Sequence, residues 1–79
     1  MTVDDQAVFR RVAREVIEAT AGFQHLGEAT SGEEALALAD ELRPDLVLLD
    51  VCMPGIGGVE TARRISASYP AATIVLIST

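Results

Sequence analysis

At 79 residues, 49% hydrophobic and 23% charged, the chain has room for one small globular domain and no more. Twelve acids stand against six arginines and no lysine, a net charge of −6 that excludes a basic nucleic-acid face and predicts no direct nucleic-acid contact. A single cysteine, Cys52, excludes a disulfide framework or a cysteine metal site, and no signal peptide or apolar membrane span is legible, so the cytoplasm is the expected compartment.

The chain opens "MTVDDQ", one apolar residue, Val3, running into the acidic pair Asp4-Asp5. From Gln6 to Thr20, Phe9, Val12, Val16 and Ala19 recur at helical spacing, and Val8, Ala13 and Ile17 widen the stripe into a core-facing side. Gly22 suits the position just past that helix. "FQHLGEA" alternates weakly and predicts a short edge strand, in which His25 is a partly exposed residue and not a ligand.

"SGEEALALADEL" predicts a second helix. Ser31 and Glu34 fit a capping box, Ala35, Leu38, Ala39 and Leu42 line one face, and Arg43-Pro44 stops it. "DLVLLDV" is a continuous apolar run, as in a parallel strand covered on both faces. After the loop "CMPGIGG", residues 58–68 predict a third helix with Val59, Ala62 and Ile65 inward, ended by Tyr69-Pro70. "TIVLIST" predicts a second buried strand. The clusters Arg10/Arg11/Arg14 and Arg63/Arg64 read as solvated helix faces, with contact to an acidic partner as the alternative.

Strands alternating with helices predict an α/β fold: a doubly wound, mostly parallel sheet with helices on both faces and right-handed crossovers. Ligands of such sheets bind beyond the carboxyl ends of the strands, where Asp50 and Ser78-Thr79 lie. A carboxylate closing an apolar run is costly to bury unless water or an ion reaches it. Asp4 and Asp5 reach the same rim if Val3 ends a strand; otherwise they are acids favoured at a helix start. Two unit charges ~4 Å apart at an effective dielectric near 20 repel by roughly 4 kcal/mol. A hard divalent cation relieves that repulsion, and Mg²⁺ suits one or two carboxylates with waters and a phosphoryl oxygen.

This constellation resembles the receiver domain of bacterial two-component response regulators. "VDDQ" matches that family's acidic pair, "LLDVCMPGIGG" its phosphoacceptor strand and loop, "EATSGEEAL" its second strand and helix, and "LIST" its fourth strand with the switch hydroxyl. The resemblance implies a flavodoxin-like sheet of strand order 2-1-3-4-5. It implies that Asp50 accepts a phosphoryl group from a sensor histidine kinase, that Asp5 binds Mg²⁺ directly with Asp4 in support, and that Cys52 lends its backbone carbonyl to the metal. Ser78 would hydrogen-bond the acyl phosphate and swing inward, and Met53-Pro54 and Gly58 would shape the loop. Such a module accepts a phosphoryl group and is not expected to be an enzyme. A dinucleotide loop is not completed, since Gly55, Gly57 and Glu60 break G-x-G-x-x-G, and an aspartyl phosphatase would carry an acid where Cys52 stands.

Against the family pattern, only "MTV" stands for a first strand, and its shortness predicts a gap in the middle of the sheet. The sequence also stops before a fourth helix, fifth strand and fifth helix, and contains no counterpart of the family's active-site lysine. Residues 1–79 are therefore expected to be a partial receiver domain whose output, transcription through a DNA-binding domain, lies elsewhere. The alternative is a degenerate, unphosphorylated module that binds a partner or self-associates through open strand edges.

Overall fold

The computed structural model describes residues 1–78. The apolar run ending in Asp50 forms strand β3 (Leu46–Asp50) near the centre of a four-stranded parallel sheet. Its neighbours are β1 (Thr2–Val3) on one side and β4 (Thr73–Ile77) on the other, and β2 (Glu28–Ala29) pairs with the far side of β1. Helices α1 (Ala7–Ala19), α2 (Gly32–Leu42) and α3 (Gly57–Ser68) connect them in strict alternation. The order β2-β1-β3-β4 is the flavodoxin-like one.

β1 is as short as its sequence foretold, yet no gap opens. Thr2 and Val3 pair with Glu28 and Ala29 on one side and with Leu48 and Leu49 on the other. The chain's first ammonium group adds a bond to the Leu46 carbonyl at 2.9 Å, and the Met1 carbonyl accepts from Leu48 N–H at 2.9 Å. Two residues suffice because a parallel strand needs only its backbone to bridge its neighbours.

Side chains alternate across β3, so Val47 and Leu49 point one way and Leu46, Leu48 and Asp50 the other. The first face carries the core, where Val3, Ala29, Ala35, Ala39, Val47, Leu49 and Ile65 pack beneath α2 and α3. Small alanines on α2 allow it to lie close to the sheet. The Ser31 hydroxyl caps that helix by accepting from Glu34 N–H at 3.1 Å, but the Glu34 carboxylate reaches back to Thr30 instead of Ser31, so the capping box is displaced by one residue. Arg43 closes α2 in the left-handed conformation, φ 49°, before Pro44.

The opposite face differs from expectation. The helix predicted over residues 6–20 is present, but of its apolar stripe Val8, Phe9, Val12 and Val16 are exposed and only Ile17 is buried. α1 packs on β1, and its apolar stripe lines an open groove with Leu48 and Ile77 instead of closing onto them. β4, expected to be buried, is the sheet edge, with Val75, Leu76 and Ile77 each at least 40% exposed. Ser78 follows it, and Thr79, the end of the strand predicted from sequence, lies outside the described residues.

Two further expectations change. In α3 it is Gly58, Thr61 and Ile65 that are buried, while Val59 is 63% exposed. The cause is the close approach of α3 to β3: a Cβ at Gly58 would overlap the Asp50 carbonyl oxygen and come within 2.6 Å of Val51 Cα, so Gly58 must face the sheet and Val59 turns outward. The weak strand is only Glu28–Ala29, and His25 precedes it with a side chain just 8% exposed, its Nε2 4.0 Å from Glu28.

The α3 orientation has a direct test. Gly58→Ala should destabilise the chain by about 1–3 kcal/mol, as overpacking against fixed backbone does, whereas Val59→Ala should stay within about 0.5 kcal/mol. Urea unfolding of both variants reads the difference, and equal effects would contradict this packing.

Candidate functional site

The parallel register assembles the rim. Because Val3 lies opposite Leu49, the next residue of each strand's path, Asp4 and Asp50, emerges at the same carboxyl edge, and Asp5 follows. One carboxylate oxygen from each of Asp4, Asp5 and Asp50 lies within 4.8 Å of the others. The three acids singled out in the sequence are thus brought together, and the helix-start reading of Asp4 and Asp5 gives way to the shared rim.

Each acid is held differently. Asp50 is 3% exposed, and its Oδ1 accepts from Cys52 N–H at 3.0 Å, the local turn that fixes the carboxylate at the strand end. Asp4 is buried, with Oδ1 accepting from Gln6 N–H at 2.9 Å as the chain turns toward α1. Asp5 is exposed at the mouth. Arg10, read from sequence only as part of a basic cluster, donates from Nη1 to the Asp4 backbone carbonyl at 2.8 Å and so supports the rim from α1.

The remaining predicted residues lie close by in the fold. Cys52 sits two residues past Asp50 with its side chain exposed. Ser78 is exposed one residue beyond Ile77, the β-sheet partner of Asp50, and Val51 N–H donates to the Ile77 carbonyl at 2.9 Å. Met53 is buried in the core cluster below the loop. Among the described residues, four of the five clustered arginines pair with acids outside the rim. Arg10 and Arg14 engage Glu28 at 3.5 and 2.5 Å, and Arg63 and Arg64 both bond Glu60, holding its carboxyl down to about 2.

The electrostatics of the cluster are unfavourable within the protein alone. Burial pushes the Asp4 carboxyl above its ordinary value, and the nearby Asp50 and Asp5 charges push the same way, against the opposing bond from Gln6 N–H. Among the described residues no arginine forms an ion pair with these three carboxylates, and an all-oxygen, anionic donor set of this kind fits a hard divalent ion such as Mg²⁺.

A carboxyl raised by folding favours the folded state only when protonated. Its penalty is therefore full above the folded-state value and disappears as pH falls through it. Asp4→Asn, which can still accept from Gln6 N–H, should raise Tm by a few degrees at pH 7 in the presence of a chelator. The gain should vanish as pH falls through the carboxylate range, and thermal melts across pH 3–7 check it; a gain that persists at low pH would contradict the charge origin.

Comparison with known proteins agrees with this geometry. The family model described as the response regulator receiver domain matches residues 1–79. The response regulator GacA of Pseudomonas viridiflava is 42% identical over 78 residues, covering 99% of this chain and 36% of that protein. Among solved structures, a two-component response regulator of the LuxR family from Aurantimonas sp. SI85-9A1 superposes with a TM-score of 0.91 at 37% identity, covering 99% of this chain and 56% of that one. The response regulator domain of Thermotoga maritima CheB gives a TM-score of 0.88 at 31% identity, covering 98% and 57%. The chain thus spans about a third of the length of the curated relative it matches. With its sheet order, its acidic rim and a family match along its whole length, the chain belongs to the response regulator receiver domain family.

Proposed function

We propose that residues 1–79 are the part of a receiver domain that carries its phosphoacceptor site, with Asp50 as the residue phosphorylated by a sensor histidine kinase. The observation that carries this reading is the convergence of the Asp4, Asp5 and Asp50 carboxylates within 4.8 Å at the carboxyl edge of β1 and β3.

In the proposed transfer an Asp50 carboxylate oxygen attacks the phosphorus of a phosphohistidine. A P–O bond forms, the P–N bond breaks, and the imidazole leaves with the electron pair. Asp50 is suited to the role because Cys52 N–H holds Oδ1 and fixes the plane of the carboxylate, leaving it poised at the rim. Asp5, Asp4 and the Cys52 carbonyl would hold Mg²⁺ beside it. The ion, when bound, neutralises charge on the transferring group, which is the main demand of phosphoryl transfer.

Phosphorylation leaves about two negative charges at Asp50, by analogy with phosphoserine. Ser78, next to the residue paired with Asp50, would donate to the new phosphoryl oxygens and carry the change into the β4 edge. The proposed output is transcription, a reading supported by the likeness to a DNA-binding response regulator of the LuxR family from Staphylococcus aureus, 26% identical with a TM-score of 0.87. The chain itself would act as the regulated switch and not as an enzyme, in the cytoplasm where the kinase presents its phosphohistidine.

A second reading, a binding module that works unphosphorylated, has one observation in its favour. The free edge of β4 carries five residues, Thr73–Ile77, with no charge or proline to block pairing, and a second copy of the chain could add to it.

Incubation with acetyl phosphate and Mg²⁺ should add one phosphoryl group, seen by mass spectrometry, at low stoichiometry because no lysine in the chain balances the added charge. The gain should be lost in Asp50→Asn and without Mg²⁺. Phosphorylation that persists in Asp50→Asn would remove Asp50 from the role, and no phosphorylation together with a concentration-dependent dimer would favour the second reading.

A further inference from the structure

Two acids open α2, and they serve different elements. Glu34 works locally: its N–H is capped by Ser31, and its carboxylate accepts from Thr30 N–H at 3.2 Å and Thr30 Oγ1 at 3.1 Å. Glu33 reaches across the fold instead, where its Oε1 accepts from Ile56 N–H at 3.1 Å, 23 positions along the chain. Among the described residues this is the only hydrogen bond tying residues 53–56 to an element other than α3.

The surroundings are built around that contact. Ile56 is the N-cap of α3 and Glu33 lies in the first turn of α2, so one carboxylate faces the positive ends of two helices. Gly55 has φ 79°, and a Cβ there would lie 2.8 Å from both Glu33 carboxylate oxygens. Only glycine both adopts that conformation without strain and leaves room for the carboxylate. A Cβ on Gly32 would overlap Thr61 Oγ1 and come within 2.7 Å of Ile56 Cγ1, so the start of α2 is already pressed against the loop and α3. Thr61 in turn donates to the Gly57 carbonyl at 2.6 Å, tightening the first turn of α3.

The loop from Val51 to Ile56 is thus pinned at two points. Cys52 N–H is held by Asp50 at one end and Ile56 N–H by Glu33 at the other. We propose that Glu33 is a positioning residue that latches this loop, keeping Cys52 beside the Asp4, Asp5 and Asp50 carboxylates, where its carbonyl completes the Mg²⁺ donor set. The inference rests on the metal-site reading above and adds to it a residue on a different helix that never touches the ion. Its reach and its acceptor oxygen matter more than its charge, because an exposed carboxylate adds little Coulomb energy in water.

The test is Mg²⁺ titration by calorimetry on wild type, Glu33→Ala, Glu33→Gln and Glu33→Asp, with amide exchange of Ile56 followed in the same samples. Glu33→Ala should weaken Mg²⁺ about three- to tenfold, toward the lower end of what supporting partners of metal ligands contribute, and speed Ile56 exchange. Glu33→Gln, which keeps an acceptor at the same reach, should bind within about twofold of wild type. Glu33→Asp keeps the helix-start charge but withdraws the acceptor, so it should behave like the alanine variant and decides the matter if that variant does not fold. Unchanged affinity in both shortened variants, or equal loss in Glu33→Gln, would overturn the latch. If wild type takes up no Mg²⁺ the metal reading itself fails, and Ile56 exchange then decides the latch alone: unchanged exchange in the shortened variants overturns it.

Discussion

The site depends on one register. Val3 opposite Leu49 is the last backbone pairing of β1 with β3, and it determines which residues leave the sheet together. Asp4 and Asp50 are the next pair, so both carboxylates arrive at one edge without any side chain having to seek the other. A slip by one residue would send Asp4 to a different depth and reverse every side chain of β1 between the two faces. Val3, 1% exposed beneath α2 and α3, resists that slip because it would be exchanged for Thr2. The core thereby sets the position of the charges.

That arrangement opposes stability locally. Burial and the neighbouring acids disfavour ionised Asp4, and the compensations within the chain are small and neutral: one N–H from Gln6 to Asp4 and one from Cys52 to Asp50. Elsewhere the chain pairs its acids readily, as Glu28 does with Arg10 and Arg14 and Glu60 with Arg63 and Arg64. An acidic cluster with no ion pair among the described residues, in a chain that pairs its other acids with arginines, is where a bound cation would change the local energy most.

How far this was legible in sequence follows from which interactions were local. The helices of residues 7–19, 32–42 and 57–68 came from periodicity and caps that lie within each segment. The strand ending in Asp50 and its place at a ligand-binding edge came from an uninterrupted apolar run. What periodicity could not tell is which apolar face finds a partner. The stripe of Phe9, Val12 and Val16 is as regular as a buried one, yet it lines an open groove with Leu48 and Ile77 and stays exposed. Val59 reads as a core residue until the contact of Gly58 with the Asp50 carbonyl sets the rotation of α3. The continuity of the sheet through β1 was hidden for the same reason, since two backbone-paired residues leave almost no pattern.

Glu33 shows the limit most plainly. At the start of α2 it reads as one more helix-start acid: the capping pattern singles out Glu34, and nothing within ten residues gives Glu33 a partner of its own. The distinction arises only because the loop after β3 returns to the start of α2 with a glycine at φ 79° that exposes the next N–H. The signal that could have been read is the pairing of "GE" at residues 32–33 with "GI" at residues 55–56: two glycines that let separate backbones approach, each followed by a residue able to bond across the gap. The chemistry proposed for Asp50 would thus depend on positions set from three directions: the register of β1, the close approach of α3 at Gly58, and the carboxylate of α2 proposed to hold the loop. The first two are anchored in the buried core, through Val3 and through Gly58 and Ile65, and the loop is therefore the part of the site that a change in charge at Asp50 would most easily move.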